Sequence, residues 1–92
     1  PRTRSHEEQK ALRARQQKLE RTAASLLTRI DAEEERHREI QSRLSDPDIY
    51  ADGAAVRRLT HELEACEKSI ADLTQSWDET TSELERLQEV HG

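Results

Sequence analysis

The side chains that most often act in catalysis or metal binding are few and widely spaced in this sequence. Zinc sites gather cysteines and histidines at short, regular intervals. The single cysteine, Cys66, has no partner two or three residues away, and the four histidines are His6, His37, His61 and His91. We therefore expect no metal site. His37 falls on the apolar seam described below and is interpreted as a structural polar residue, with a pH-sensing role as the alternative.

Carboxylates and glycines offer no catalytic arrangement either. Asp31 and the three glutamates at 33–35 form an acidic cluster, but a thin helical rod has no concave pocket in which such carboxylates would hold a substrate. The two glycines are too few for the nucleotide-binding pattern GxGxxG, and the phosphate loop GxxxxGK[ST] is absent. We expect the chain not to be an enzyme and to bind no cofactor itself.

Basic residues near the start suggest a different chemistry, which is contact with phosphate groups. Residues 1–30 carry 8 Lys/Arg against 3 Asp/Glu, whereas residues 45–92 carry 4 against 12. Cations spread over several helical turns can follow a phosphate backbone, and no aromatic residue that would stack on bases lies among them. Weak, sequence-independent contact with a nucleic-acid backbone is one interpretation of these cations; the other is that they only confer solubility and tether the chain to a preceding domain. The basic residues are Arg2, Arg4, Lys10, Arg13, Arg15, Lys18 and Arg21.

The composition indicates that these residues lie on long helices. Charged residues make up 38% of the 92 positions and hydrophobic residues 32%, which is too little apolar mass for a round core. Strong helix formers dominate, and no Pro or Gly lies between Ser5 and Leu44. We predict an all-α single domain over residues 1–92, and we interpret it as a piece excised from a larger protein.

The expected setting follows from two further features. No apolar run approaches the roughly 18 residues that a membrane-spanning helix needs, so no membrane contact is expected. Cys66 has no second cysteine with which to form an intrachain disulfide. A reducing, cytoplasmic location is therefore predicted.

Each half of the chain carries a seam of residues at alternating intervals of three and four, which is typical of a coiled coil. The second seam is mostly apolar, and the first is interrupted by polar residues. The first seam is Leu12, Gln16, Leu19, Ala23, Leu26, Ile30, Glu33, His37, Ile40 and Leu44. The second is Val56, Leu59, Leu63, Cys66, Ile70, Leu73, Trp77, Thr80, Leu84, Leu87 and His91. Cys66 and Trp77 are interpreted as core residues.

Between the seams, residues 45–53 read as a turn. Pro47 cannot continue a helix and disfavours helical backbone at Asp46. We predict a helix over 6–45, a short helical turn within 46–52 capped by Asp46, and a helix over 53–90 with Asp52 as its N-cap. A short link between two equal helices favours an antiparallel two-helix coiled-coil hairpin with a short helical turn at its tip. An intermolecular dimer with an open turn is the structural competitor.

The tip carries its own candidates. Ile49 and Tyr50 are expected to pack onto Leu44 and Val56, and the alternative is a partner contact at an exposed tip. The basic pair at 57 and 58 follows directly and is a candidate contact as well.

Heptad positions also predict ion pairs between the helices. With Gln16 at position a, antiparallel packing places position g of one helix beside position g of the other. The pairs predicted from this arrangement are Arg15–Glu83 and Arg36–Glu62. The remaining g positions considered are Arg29, Arg43, Ser69 and Ser76.

Two strings resemble a known family. LSDPDIYAD at 44–52, with the apolar positions 56, 59 and 63 and Trp77 after it, resembles the turn of the C-terminal domain of ABC-F ATPases of the Uup-like kind. SHEEQKAL at 5–12 is similar to the segment that opens this domain. The resemblance implies a non-catalytic accessory domain, with two nucleotide-binding domains upstream in the same chain that bind ATP and Mg.

The same resemblance implies partners. Proteins of this family act on ribosomes, and the C-terminal hairpin of Uup-like members is associated with DNA binding. Here that role would fall on the basic start (Arg2, Arg4, Lys10, Arg13, Lys18 and Arg21), with Arg57 and Arg58 as contacts at the tip.

Two alternatives stay open at this point. The chain is either a nucleic-acid-contacting module or a purely structural coiled coil that spaces or dimerises its parent protein. ERHREIQSRLSDP at 35–47 also resembles the N-terminal helical domain of peptide chain release factors, where the turn usually lacks the Tyr.

Overall fold

The computed structural model describes residues 5–91, and these residues form three helices. The first, α1, covers His6–Leu44; the second, α2, covers Pro47–Tyr50; the third, α3, covers Gly53–His91. The molecule is elongated, with extents of 74 × 16 × 14 Å. Because each long helix has 39 residues and rises about 1.5 Å per residue, one helix alone accounts for most of the length.

The turn between the long helices is held by hydrogen bonds at its caps. Helix α1 ends at Leu44, one residue before the predicted boundary, and the N–H groups of Ser45 and Asp46 close its last turn by donating to the carbonyls of Ser42 and Arg43, each at 3.1 Å. Asp46 accepts from the N–H of Asp48 at 3.0 Å, so it caps α2 as predicted. Asp52 accepts from the N–H groups of Ala54 and Ala55 at 3.1 and 3.2 Å and caps α3 as predicted. Side-chain oxygens at such positions satisfy donors that have no partner inside the helix.

Helices α1 and α3 contact each other along the rod, and the contacting pairs run in opposite chain directions. Arg15 pairs with Glu83 near one end. Closer to the turn, His37 Nε2 lies 3.0 Å from Glu67 Oε2. As the residue number rises on α1 it falls on α3, which is consistent with a hairpin.

Burial follows the two predicted seams. Every seam residue whose side chain the structure describes, which leaves out only His91, is buried or half-buried. The most covered lie toward the turn, where Ile40, Leu59 and Cys66 are 4%, 1% and 2% exposed. Elsewhere most of the seam is half-buried, because a rod of two helices covers each side chain from one direction only. Gln9 extends the first seam by one further position.

The prediction that Tyr50 packs the tip is wrong. Its side chain is 71% exposed, whereas the adjacent Ile49 is half-buried as expected. A helix of four residues can turn only one side toward the ends of α1 and α3. Ile49 occupies that side, and Tyr50 therefore faces water.

Trp77 lies on the seam of α3 and is half-buried, in line with its predicted core position. Its indole N–H is covered and donates to no acceptor among the described residues. None of the helices in the described range is long and apolar enough to cross a membrane.

Candidate nucleic-acid interface

The basic residues predicted to contact phosphate groups lie on the exposed surface of α1, where the structure describes them. Lys10, Arg13, Lys18 and Arg21 are all exposed. They fall on different sides of the helix, because neighbouring helical residues are about 100° apart. The predicted candidates at positions 2 and 4, Arg2 and Arg4, lie outside the described residues.

Lys18 and Arg21 are brought together with Arg29 around one shallow groove on α1. No carboxylate lines this groove, so it is a basic depression on the surface of α1. Its lining residues are Lys18, Arg21, Thr22, Ser25, Leu26 and Arg29. Three cations around a groove without a counter-charge create a local attraction for anions, even on a chain whose net charge is −5.

The remaining predicted contacts, Arg57 and Arg58, lie at the other end of the molecule. Both are exposed near the start of α3. The guanidinium of Arg57 folds back toward the turn, and its Nη1 would lie 3.4 Å from a Cβ placed on Gly53. Between Arg21 and the level of Arg58 lie about 20 residues of α1, or roughly 30 Å at 1.5 Å per residue. The structure therefore separates the two groups of predicted contacts.

One of the two predicted interhelical ion pairs forms. Arg15 donates to the carboxylate of Glu83, and both side chains are partly exposed. The predicted pair of Arg36 with Glu62 is wrong, because no ion pair within 4.0 Å joins them, although both line one cleft between the helices. An exposed arginine gains little by holding a single geometry, since such pairs contribute about 0–1 kcal/mol.

Two other ion pairs stay within one helix. Arg38 donates to Glu35 at 2.7 Å, and this hydrogen bond raises the pKa of the Arg38 guanidinium. Lys68 donates to Asp72 at 2.8 Å, and that hydrogen bond raises the pKa of the Lys68 amine. Both cations stay charged with a carboxylate beside them, so they offer less attraction to an outside anion than the cations of the groove.

Two polar contacts between the helices were not foreseen. His37 meets Glu67 across the seam, and the thiol of Cys66 donates to the backbone carbonyl of Glu33 at 3.0 Å. Burial, followed by the hydrogen bond to Glu33, raises the pKa of the Cys66 thiol. A raised pKa keeps the thiol protonated and unreactive. Neither contact shows an arrangement for catalysis.

The described residues were also searched for a metal site and for an enclosed pocket. No three His, Cys, Asp or Glu side chains there come close enough together to hold a metal ion. Two shallow clefts between α1 and α3 include Glu33 of the acidic cluster, and each is lined by both signs of charge.

The sequence indicated Lys18 and Arg21 but missed Arg29. Arg29 had been assigned to a g position facing α3, and no contact was predicted for it. Its counterpart in the same register as Arg15–Glu83 is Ser69, which offers no charge. Comparing the two series of g positions residue by residue would have left Arg29 unpaired and available to the groove.

The chain was compared with curated proteins, with solved structures and with protein-family models, and only the family models gave a match. The searches of curated proteins and of solved structures found none. The family model described as ABC transporter C-terminal domain matches residues 4–82. Such domains are non-catalytic accessory parts of ABC proteins, which are ATPases. The match favours this family over the resemblance to release factors. Because it spans most of the 92 residues, the chain belongs to the family of ABC transporter C-terminal domains.

Proposed function

We propose that the chain is the C-terminal accessory domain of an ABC-F ATPase of the Uup-like kind, and that it contacts DNA or ribosomal RNA through the basic N-terminal part of α1. The observation that carries the proposal is the groove in which Lys18, Arg21 and Arg29 gather without a carboxylate. Guanidinium and ammonium groups grouped in this way attract the phosphate backbone of a nucleic acid whatever its sequence.

The frame of this proposal is an antiparallel coiled-coil hairpin with α2 at its tip. The alternating three- and four-residue spacing of the covered residues and the opposite running of the Arg15–Glu83 and His37–Glu67 pairs support it. A hairpin of this kind presents the basic part of α1 at its open end. ATP and Mg would be bound by ATPase domains upstream in the same chain, and the whole protein would act in the cytoplasm.

The expected affinity is low. The second half of the chain carries 12 Asp/Glu against 4 Lys/Arg, so long-range repulsion opposes the local attraction of the groove. Non-specific binding of DNA typically has Kd values of about 10⁻⁴ to 10⁻⁶ M at physiological salt. We expect this chain at the weak end of that range, with strong dependence on salt.

The test is a titration of fluorescently labelled duplexes with the 92-residue chain at low and at physiological salt. The variant K10E/K18E/R21E should abolish binding at low salt. The matched control R38E/K68E/R86E changes the net charge by the same amount at other exposed positions and should weaken binding much less. Absence of binding by the wild-type chain at low salt would refute the proposal, and so would equal losses in the two variants.

A purely structural role is the second candidate. Leu27 is 45% exposed on the side of α1, where a second copy of the chain could cover it and form a homodimer. Single exposed leucines are common on monomeric proteins, so this observation is the weaker of the two. Light scattering separates the candidates, because a structural dimer would persist at low protein concentration and bind no nucleic acid.

A further inference from the structure

Charges are unevenly distributed around the rod as well as along it. Over residues 15–43 of α1, heptad positions g and c form one side of the helix and positions e and b form another. The side with positions g and c holds five cations and one carboxylate, Glu39. The side with positions e and b holds one cation, Arg38, and three carboxylates. The five cations are Arg15, Lys18, Arg29, Arg36 and Arg43. The three carboxylates are Glu20, Asp31 and Glu34.

Three of these arginines recur at intervals of seven residues, and we call Arg29, Arg36 and Arg43 the arginine stripe. All three are exposed. At about 1.5 Å per residue they follow one another at roughly 10 Å along the same side of α1. None of the three belongs to an ion pair within 4.0 Å among residues 5–91.

The register explains why two arginines of the stripe face no counter-charge at the opposite g position. The pair Arg15–Glu83 sets which g positions face each other, and in that register Arg29 faces Ser69 and Arg43 faces Ala55. Neither counterpart carries a charge. Arg36 faces Glu62 and shares a cleft with it but makes no ion pair.

The nearby carboxylates are in part engaged elsewhere. Asp72 lines the cleft beside Arg29 but accepts from Lys68 on its own helix, and Glu83 accepts from Arg15. Glu33, Glu39 and Glu62 are carboxylates near the stripe without such a partner, and Glu33 lines the clefts beside both Arg29 and Arg36. None of these carboxylates forms an ion pair within 4.0 Å with the stripe, so its guanidinium groups can bind an outside anion.

We propose that the arginine stripe extends the basic groove of Lys18 and Arg21 toward the turn, so that one side of α1 forms a continuous track for the phosphodiester backbone of a nucleic-acid duplex. Arg29 belongs to both the groove and the stripe. This inference rests on the proposed function. It adds Arg36 and Arg43, which lie outside the basic N-terminal part of α1.

The chemistry of arginine fits this ligand. The guanidinium group is planar and donates two parallel hydrogen bonds to one phosphate, and it stays charged at every relevant pH. The stripe contains only arginine. A duplex carries one negative charge per about 1.7 Å of its axis, so each arginine in a row with roughly 10 Å spacing has phosphates within reach of its long side chain.

The experiment measures binding of the 92-residue chain to two probes of equal length, a DNA duplex and an RNA duplex, over a series of salt concentrations. The test variant is R29Q/R36Q/R43Q, since Gln retains the helix propensity of Arg. The matched control R38Q/K68Q/R86Q removes the same number of cations away from the stripe. Circular dichroism confirms that both variants remain helical.

We expect the wild-type chain to bind, with the test variant roughly tenfold weaker or worse at low salt. Each lost phosphate contact removes about 0.9 from the slope of log K against log salt, so three lost contacts should lower the slope by about 2.7. The control should keep most of the wild-type slope. If the test variant loses affinity for only one of the two probes, the track binds that kind of duplex.

Three results would count against the stripe. If the wild type binds and the test variant binds as tightly as the control, the stripe is not the track and the proposed function survives. If the wild type binds neither duplex, the proposed function itself fails. If light scattering shows a dimer that only the test variant dissociates, the stripe binds the acidic helix of a second copy instead.

Discussion

Cys66 shows how a single side chain can be removed from chemistry by its position. It is 2% exposed, and its thiol donates to the carbonyl of Glu33 on the opposite helix. Burial raises the pKa of this thiol, so the folded chain keeps the proton to higher pH than the unfolded chain does. The stabilising effect is complete below the ordinary thiol pKa and is lost as the pH rises through the folded value.

We predict that Cys66 in the folded chain reacts with a maleimide at least about 100-fold more slowly than in concentrated guanidinium, because reaction requires the helices to separate. The matched control is C66A/S82C, which carries its thiol at an exposed position of α3 and should react at the rate of a free thiol. The free energy of unfolding should also fall in alkaline buffer for the wild type and less so for C66A. Equal reactivity of the two thiols would contradict this account of the seam.

His37 occupies a seam position at which an apolar residue would pack better. We predict that H37L raises the free energy of unfolding by about 1 kcal/mol, because added apolar burial exceeds the value of one partly exposed contact with Glu67. Chemical denaturation measures the change. H61L is the control, since His61 is exposed on α3 and its replacement should alter stability by less than about 0.5 kcal/mol. A destabilised H37L would instead show that His37 is required at the seam.

At the scale of the elements, the junction of α2 and α3 depends on Asp52. Its side chain accepts from two N–H groups that have no partner inside the helix. We predict that D52A lowers the free energy of unfolding by about 1 kcal/mol, the usual value of an N-cap. D48A, an exposed carboxylate in α2 whose side chain makes no hydrogen bond among the described residues, should change stability by less than about 0.5 kcal/mol. Similar losses in the two variants would mean that charge, and not capping, matters at this turn.

The helices themselves were predictable because each depends on local sequence. Spacing alone fixes which residues of a two-helix rod are covered, and the seams were found on that basis, including the polar Gln16 and Glu33. The caps at Asp46 and Asp52 follow from residue type and position. The exposure of Tyr50 was not predictable, since it depends on how a four-residue helix is rotated against two long ones.

The candidate site was predictable only in part. Lys18 and Arg21 follow from a local excess of cations. The role of Arg29 requires the register between the helices, because only the register shows that Ser69 stands opposite. The same holds for Arg36 and Glu62, which were predicted to pair but only line one cleft. Counting charges along the sequence shows which end of the chain is basic. Which side of the rod is basic can be determined only when the positions of both helices relative to each other are known.

At the scale of the whole molecule, the antiparallel arrangement determines which surfaces lie together. The proposed hairpin brings the start of α1 beside the end of α3, and the pair Arg15–Glu83 marks that end. A dimer of two opened chains would bury the same seams and give the same helix content. Only an experiment that distinguishes contacts within one chain from contacts between chains separates the two arrangements.

We predict that the variant C66A/R15C/E83C, treated with a short bismaleimide, is cross-linked within one chain at every protein concentration. The two positions lie side by side across the helices, and the register comes mainly from the seams, so losing one ion pair should not disturb it. The control C66A/R15C/R58C pairs position 15 with the region of the turn, roughly 40 Å away at 1.5 Å per residue, and should give no product within one chain. A denaturing gel and peptide mass spectrometry identify the products. Cross-linked dimers that increase with concentration in the first variant would establish the opened dimer in place of the hairpin.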